Sequence, residues 1–179
     1  MTTYVALLRG VNLAARNRVS MAKLREHLEA AGFEGVRTYL QSGNVVLRSA
    51  ATDEAVAREC ERQIADGFGL DIGVVVRTQA QLAAVVRRSP LEGVATEPKR
   101  YLVSFLAAKP DQAAVERIAA AAVPPERLVA HGRELYAWLP EGVGRSKLWS
   151  RLADAKLGTV ATARNWSTVT GLLELAAAT

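Results

Sequence analysis

One order of predicted elements occurs twice along the chain and limits the folds that it can adopt. Each copy opens with a short apolar run, typical of a buried strand, over residues 4–8 and again over residues 100–107. A helix, two β-prone runs around a tight turn, and a second helix follow in each copy. This order is that of a split β-α-β, or ferredoxin-like, unit. We therefore predict an α+β fold of two tandem ferredoxin-like subdomains with antiparallel or mixed sheets.

Capping and turn residues predict where these elements begin and end. Ser20 is a good N-cap for a first helix, in which Met21, Leu24 and Leu28 have helical spacing. Residues 41–44 form a turn signal between two β-prone runs. Residues 91–98 are loop-like, so the predicted subdomains are residues 1–90 and 99–179. The second copy shows no final strand, and we expect extra C-terminal helices there, the last over residues 166–177.

Composition limits the cellular compartments and the binding partners that we expect for this chain. The lone Cys60 excludes an intrachain disulfide framework, and we expect it to be a small filler on a helix. We find neither a signal-peptide pattern nor an apolar run of about 20 residues, so we expect a cytoplasmic protein with no membrane partner. The net charge of +5 suits a polyanion. An arginine- and alanine-rich composition is also typical of GC-rich genomes, so charge supports a nucleic-acid partner only weakly.

Two polar segments of the first copy should meet at one end of its sheet. Crossovers between parallel strands are right-handed, so the first two strands of a split β-α-β unit run in the same direction. The loop after the first strand and the turn after the second then lie together. They carry guanidinium, amide and hydroxyl groups, which suit a phosphate or carboxylate. The candidate ligand-binding residues are Arg9, Asn12, Gln41, Ser42 and Asn44.

A structural alternative exists for the same residues. Gly10 and Gly43 are residues that permit tight turns, and Asn12 and Asn44 are residues that hydrogen-bond loop backbone. The sequence does not decide between this alternative and ligand binding.

Two segments of the second copy offer further candidates. A glycine-rich turn runs into a helix start at Arg145, Ser146 and Lys147, where free backbone N–H groups attract anions. The alternative is that Ser146 is an ordinary N-cap. Residues 161–166 end in Arg164, Asn165 and Trp166, and the indole ring offers a stacking surface for a base or sugar. The alternative is that this tryptophan docks the last helix on the core.

Catalytic and metal-binding signals are few. The only histidines are His27 and His131, so a metal site built on histidines is not expected. The chain has no dinucleotide-binding fingerprint, nucleophile elbow or His-Glu-x-x-His motif. We predict no cofactor, and we identify no catalytic residue, so the question of enzymatic activity stays open.

The polar segments also carry a resemblance to a known family. The residues that carry it are 6–12 (ALLRGVN), 21–24 (MAKL), 36–46 (VRTYLQSGNVV), 144–148 (GRSKL) and 161–169 (ATARNWSTV). In these blocks the chain resembles the domain-of-unknown-function 1697 family of bacterial proteins. The resemblance extends over nearly the whole length of the chain. Residues 13–16 depart from that pattern, which tends to have glycines and a lysine. The resemblance implies two ferredoxin-like subdomains and no established reaction, and it adds weight to the polar segments named above as candidates.

Three functions remain as hypotheses. The first is binding of a phosphate- or carboxylate-bearing small molecule by the candidate residues, with residues 145–147 forming a second wall if the two halves face each other. The second is a nucleic-acid-binding module, although the strands lack the interleaved aromatics of an RNA-binding sheet. The third is a protein-interaction scaffold in which Arg145 and Arg164 pair with acids at the junction. The sequence does not predict the oligomeric state.

Overall fold

The computed structural model describes the whole chain, residues 1–179, as a mixed α+β protein. It contains six α-helices and two four-stranded antiparallel sheets. The chain divides into two compact units. The first unit comprises Met1–Ala84 and Gly171–Thr179, and the second comprises Val85–Thr170.

The first unit contains one sheet and two helices that complete its core. Its elements are β1 (Thr2–Leu8), α1 (Met21–Ala30), β2 (Glu34–Tyr39), β3 (Asn44–Ser49), α2 (Asp53–Phe68) and β4 (Val74–Thr78). The strand order is β2-β3-β1-β4, and every neighbouring pair is antiparallel. Because β3 runs opposite to both β1 and β2, β1 and β2 run in the same direction, as the sequence predicts.

Local signals explain where these helices begin and end. The Ser20 hydroxyl accepts a hydrogen bond from the backbone N–H of Lys23, which caps α1 as predicted. Thr52 caps α2 in the same way, and Gly69 ends that helix in the left-handed conformation with a φ of 66°. None of the six helices combines the length and the apolar character that crossing a bilayer requires.

The core of the first unit lies between its sheet and the apolar faces of α1 and α2. Leu24, Leu28 and Ile64 are at most 1% exposed and pack in one cluster with alternate residues of β1. Each such aliphatic side chain contributes roughly 1.5–3 kcal/mol on burial. Val5 and Leu7 point to the opposite face of β1 and are buried as well. Burial on both faces explains why β1 has an unbroken apolar sequence.

The second unit repeats the element order of the first. Its elements are β5 (Tyr101–Leu106), α4 (Gln112–Ala119), β6 (Arg127–His131), β7 (Glu134–Trp138), α5 (Lys147–Asp154) and β8 (Ala161–Asn165). The strand order β6-β7-β5-β8 corresponds position by position to that of the first sheet. The two remaining helices, α3 (Gln79–Arg88) and α6 (Trp166–Ala177), each contain residues of both units.

The strand β8 contradicts the prediction that the second copy ends in helices without a final strand. Residues 161–165 pair antiparallel with β5, and α6 begins only after them. Burial alternates along β8, with Thr162 and Arg164 on the buried side. A hydrophobicity pattern misses this strand because its inward-facing side chains are polar.

Candidate functional site

The loop after β1 and the β2–β3 turn lie against each other at one end of the first sheet. The Asn12 side-chain N–H donates to the Gln41 carbonyl at 2.6 Å, and the Leu8 backbone N–H donates to the Gly43 carbonyl at 2.8 Å. These bonds confirm the predicted meeting of the two segments. We call residues 9–18 and 40–44 together the loop cluster.

Two asparagines of the loop cluster use their side chains to hold backbone. The Asn12 Nδ2 group donates to the carbonyls of Val19 and Gln41, and its Oδ1 accepts from the Val19 N–H at 2.9 Å. Asn44 is fully buried and donates to the Tyr39 carbonyl at 3.0 Å. Since both N–H donors of the Asn12 amide are already engaged, none is left for a ligand. The geometry supports the structural alternative for these two residues.

The backbone of the loop cluster is strained at Ala14 and Leu40. All four non-glycine residues with positive φ in the chain lie within it: Asn12 (53°), Ala14 (50°), Asn17 (48°) and Leu40 (58°). Such conformations disfavour side chains other than those of asparagine and aspartate, and they persist only where surrounding contacts enforce them. The hydrogen bonds of Asn12 are contacts of this kind.

Residues 12–17 form a small exposed hairpin. The Asn12 N–H donates to the Asn17 carbonyl and the Arg16 N–H to the Leu13 carbonyl, both at 3.0 Å. The Asn17 side chain ties the hairpin base to the Gly10 carbonyl at 3.0 Å. Ala14 takes the left-handed position at the tip. Alanine therefore occupies a turn position that favours glycine, at the cost of strain at Ala14.

Three arginines of the loop cluster, Arg9, Arg16 and Arg18, have exposed side chains. No ion pair of the structure involves any of them. The loop cluster itself contains no carboxylate. The exposed side chain of Gln41 adds an amide beside these cations. The loop cluster therefore presents positive charge and hydrogen-bond donors without a carboxylate of its own.

The predicted helix start of the second unit is built around an N-cap. The Ser146 hydroxyl accepts from the Trp149 N–H at 3.0 Å, and Ser146 itself is 6% exposed. Arg145 and Lys147 flank it with exposed side chains. The Ser146 side chain is therefore explained by its role as an N-cap. The side chains of Arg145 and Lys147 take no part in this cap.

Residues 164–166 are engaged in packing and capping. Arg164 is 8% exposed and donates to the Thr162 hydroxyl at 2.8 Å, and burial lowers its pKa to about 10. The Asn165 side chain accepts from the Thr168 N–H at 2.9 Å and caps α6. The Trp166 ring stacks on Tyr101 with centroids 4.7 Å apart. These contacts support the structural alternative for this segment.

The two predicted segments of the second unit share one end of its sheet. Residues 142–147 follow β7 and residue 166 follows β8, and both strands are antiparallel to β5. The topology therefore places Arg145 and Lys147 at the same sheet end as Trp166. Of the second unit's candidates, only Arg145 and Lys147 keep exposed charged groups there.

A groove of about 410 Å³ lies between α4 and α5 in the second unit. Three cations and one acid line it: Arg117, Arg151, Lys156 and Asp154. No sequence pattern marks these residues as a group, because their convergence depends on how the two helices pack. The exposure of Leu13 and Leu40 is likewise not visible in a hydrophobicity pattern.

The structure contains no cluster of metal-binding side chains and no exposed thiol. No three His, Cys, Asp or Glu side chains are grouped so that they could hold a metal ion. Cys60 is 1% exposed in the core of the first unit, and burial raises the pKa of its thiol to about 12. Its environment is that of a core filler, as the sequence predicts.

Comparison with known proteins identifies the fold and the family. The structure is similar to that of the conserved bacterial protein SP0830 from Streptococcus pneumoniae, with a TM-score of 0.81, 20% sequence identity and 98% of each chain covered. At this identity, the likeness shows the fold alone. No curated protein matches the chain. A family model described as "Protein of unknown function (DUF1697)" matches residues 1–136. The chain therefore belongs to the DUF1697 family, as the resemblance of its sequence implies.

Proposed function

We propose that the protein binds a small molecule bearing a phosphate or carboxylate group at the loop cluster. Arg9, Arg16 and Arg18 neutralise the anion, and the Gln41 side chain orients it. Guanidinium groups suit this role because they stay charged and present several N–H donors in a fixed plane. Asn12 and Asn44 act indirectly, by holding the backbone that carries these side chains.

One observation carries the proposal: all four non-glycine residues with positive φ lie in the loop cluster, and for Ala14 and Leu40 that conformation is strained. Strained backbone concentrates at functional sites, since a sequence under selection for stability alone would relieve it. Here hydrogen bonds, such as that from Asn12 to the Gln41 carbonyl, hold two chain segments in a fixed arrangement beside three arginines that form no ion pair. A fixed arrangement lowers the entropy that ligand binding must overcome.

Burial argues against nucleic-acid recognition on the sheet. RNA-recognition sheets expose aromatic side chains on which bases stack. In this chain every residue from Tyr4 to Leu8 of β1 is at most 5% exposed, and all of β5 is at most 9% exposed. These central strands therefore offer bases no stacking surface, and binding through phosphates would lose affinity steeply as salt increases.

We also infer that each unit is a ferredoxin-like subdomain. The order β-α-β-β-α-β and the strand orders β2-β3-β1-β4 and β6-β7-β5-β8 support this assignment. The subdomain limits of residues 1–90 and 99–179 and a cytoplasmic location stay predictions.

A charge-matched pair of variants tests the binding function. The first variant combines Arg9→Ala, Arg16→Ala and Arg18→Ala; the second combines Arg25→Ala, Arg58→Ala and Arg62→Ala on α1 and α2. Each lowers the net charge from +5 by three, to +2. Calorimetric titration at low ionic strength measures the affinity of each for inorganic pyrophosphate and for citrate.

We expect the wild type and the α1/α2 variant to bind one of the two anions with similar affinity. The loop-cluster variant should bind it at least about tenfold more weakly, because a charge-assisted hydrogen bond contributes about 1.5–3 kcal/mol. Equal affinity in the two triple variants would show that net charge, and not this site, attracts the anion. Absence of binding to the wild type would refute the proposal.

A further inference from the structure

Two exposed leucines flank the bond that joins the halves of the loop cluster. Leu13 follows Asn12 and is 63% exposed, and Leu40 precedes Gln41 and is 55% exposed. They are the only leucines among the exposed large hydrophobic residues of the chain. Since Asn12 Nδ2 lies 2.6 Å from the Gln41 carbonyl, the backbone segments that carry the two leucines lie close together.

Fold stability does not explain Leu40. Its φ of 58° is a conformation that glycine and asparagine adopt readily and that costs leucine roughly 1–2 kcal/mol. Its side chain gains little from burial, since more than half of it faces solvent. A glycine or asparagine at this position would relieve the strain and remove the exposed apolar surface together.

Leu13 has a comparable position on the other segment. It forms the stem of the small hairpin, where its carbonyl accepts the Arg16 N–H. The Leu13 side chain contributes nothing to that backbone bond. Apolar side chains are thus held out to solvent on both segments, beside the exposed Arg9, Arg16 and Arg18.

We propose that the ligand of the loop cluster is a soluble amphipathic anion: a phosphate or carboxylate group joined to an acyl or aromatic portion. The arginines take the charged group, and Leu13 and Leu40 pack against the apolar portion. This inference rests on the proposed function and specifies its ligand class. Apolar contact favours binding in proportion to the area that leaves water, and the cations fix the orientation of the ligand.

A ligand series measures the apolar contribution separately from the charge. Inorganic phosphate, phenyl phosphate and octyl phosphate, each below its aggregation concentration, are titrated into three proteins. These are the wild type, the Leu13→Ser/Leu40→Asn variant, and a control variant, Val123→Ser/Val143→Ser, which removes two exposed valines of the second unit. Thermal unfolding of each protein without ligand is measured alongside.

We expect the wild type and the valine control to bind octyl phosphate at least about tenfold more tightly than inorganic phosphate. In the leucine variant the ratio of the affinities for octyl phosphate and inorganic phosphate should fall to about threefold or less. The single variant Leu40→Asn should be at least as stable as the wild type, because asparagine tolerates positive φ. If the leucine variant loses the preference for octyl phosphate but keeps the thermal stability of the wild type, the two leucines have a binding role and not a structural one.

Other outcomes would overturn the inference in distinguishable ways. If inorganic phosphate binds and the octyl chain adds nothing, the amphipathic ligand is excluded while the anion site stands. If neither these phosphate compounds nor the pyrophosphate and citrate of the first test bind, the proposed function fails with it. If vesicles of phosphatidylglycerol and phosphatidylcholine bind while octyl phosphate does not, the surface docks on a membrane, and the soluble ligand is excluded.

Discussion

Gly43 lies where the β2–β3 turn crosses the end of β1, with a φ of 82°. Its carbonyl accepts the Leu8 N–H, which draws the two segments together. A Cβ atom there would lie 2.8 Å from the Leu8 Cβ and would overlap the Val11 side chain. Glycine is therefore required at this residue both for its backbone conformation and for the space.

Gly10 provides the matched comparison for Gly43. It has a φ of 66°, yet a Cβ added to it would meet no atom within 4 Å. We expect Gly10→Ala to lower the free energy of unfolding by about 1 kcal/mol, from backbone strain alone. Gly43→Ala should lower it by about 2–4 kcal/mol, because overpacking adds to the strain. Urea unfolding measures both, and equal losses would show that the close approach has no energetic consequence.

The asparagines of the loop cluster show which features of individual residues the sequence could predict. The loop after β1 and the β2–β3 turn could be located, since strand direction follows from the order of elements. The sequence could not predict whether the Asn12 side chain faces a ligand or the backbone, because that depends on which carbonyls lie within 3 Å of its amide. The sequence left both alternatives open, and the hydrogen bonds to Val19 and Gln41 favour the second.

At the scale of the elements, the serine N-caps of α1 and α5 differ in a measurable way. Ser146 Oγ lies 3.0 Å from the Trp149 N–H, and its residue is buried. Ser20 Oγ lies 3.4 Å from the Lys23 N–H, and its residue is exposed. Water can replace the bond that Ser20 makes, but it cannot easily reach the backbone N–H beside Ser146.

We therefore expect Ser146→Ala to destabilise the protein by about 1–2 kcal/mol and Ser20→Ala by about 0.5 kcal/mol. Denaturant unfolding measures both changes. Neither variant should alter the affinity for pyrophosphate, because both serines act as caps. A selective loss of anion binding in Ser146→Ala would reassign that residue to a ligand site.

Helices of this chain could be predicted more completely than strands. The predicted limits of α6, residues 166–177, coincide with the observed ones. Helix signals such as caps and 3.6-residue spacing are local, so they survive in any tertiary context. The strand β8 was missed because its identity depends on pairing with β5, about 60 residues earlier in the chain.

Across the whole molecule, the two units repeat one another in bonding as well as in element order. The Leu8 N–H donates to the Gly43 carbonyl in the first unit, and the Leu106 N–H donates to the Arg133 carbonyl in the second, at 2.8 and 2.9 Å. The loop cluster is confined to the first unit, because the corresponding end of the second has no non-glycine residue with positive φ. The repeated fold therefore carries the strained loops only once.

The placement of the chain's last residues lay beyond sequence reasoning. Gly171–Thr179 groups with the first unit, although the preceding residues of α6 group with the second. A side chain at Gly171 would overlap the Tyr39 ring of β2, so the C-terminal part of α6 approaches this strand closely. Such an approach joins residues more than 130 positions apart, and no local pattern predicts it.

The distribution of natural probes allows the unfolding of each unit to be followed separately. The sole cysteine, Cys60, lies in the core of the first unit. All three tryptophans, Trp138, Trp149 and Trp166, lie in the second. Pulsed alkylation of the thiol therefore reports the first unit, and tryptophan emission reports the second.

We expect the two probes to give one urea midpoint. Both α3 and α6 contain residues of both units, so neither unit can unfold without disrupting a helix of the other. The native thiol should be unreactive at pH 8, because it is buried and its pKa is raised to about 12. In the unfolded chain its pKa returns to about 8.5, and alkylation becomes fast. Emission measured for Cys60→Ala controls for perturbation by the labelling reagent. Thiol labelling at urea concentrations that leave tryptophan emission unchanged would show that the first unit opens alone, and that the shared helices do not couple the two.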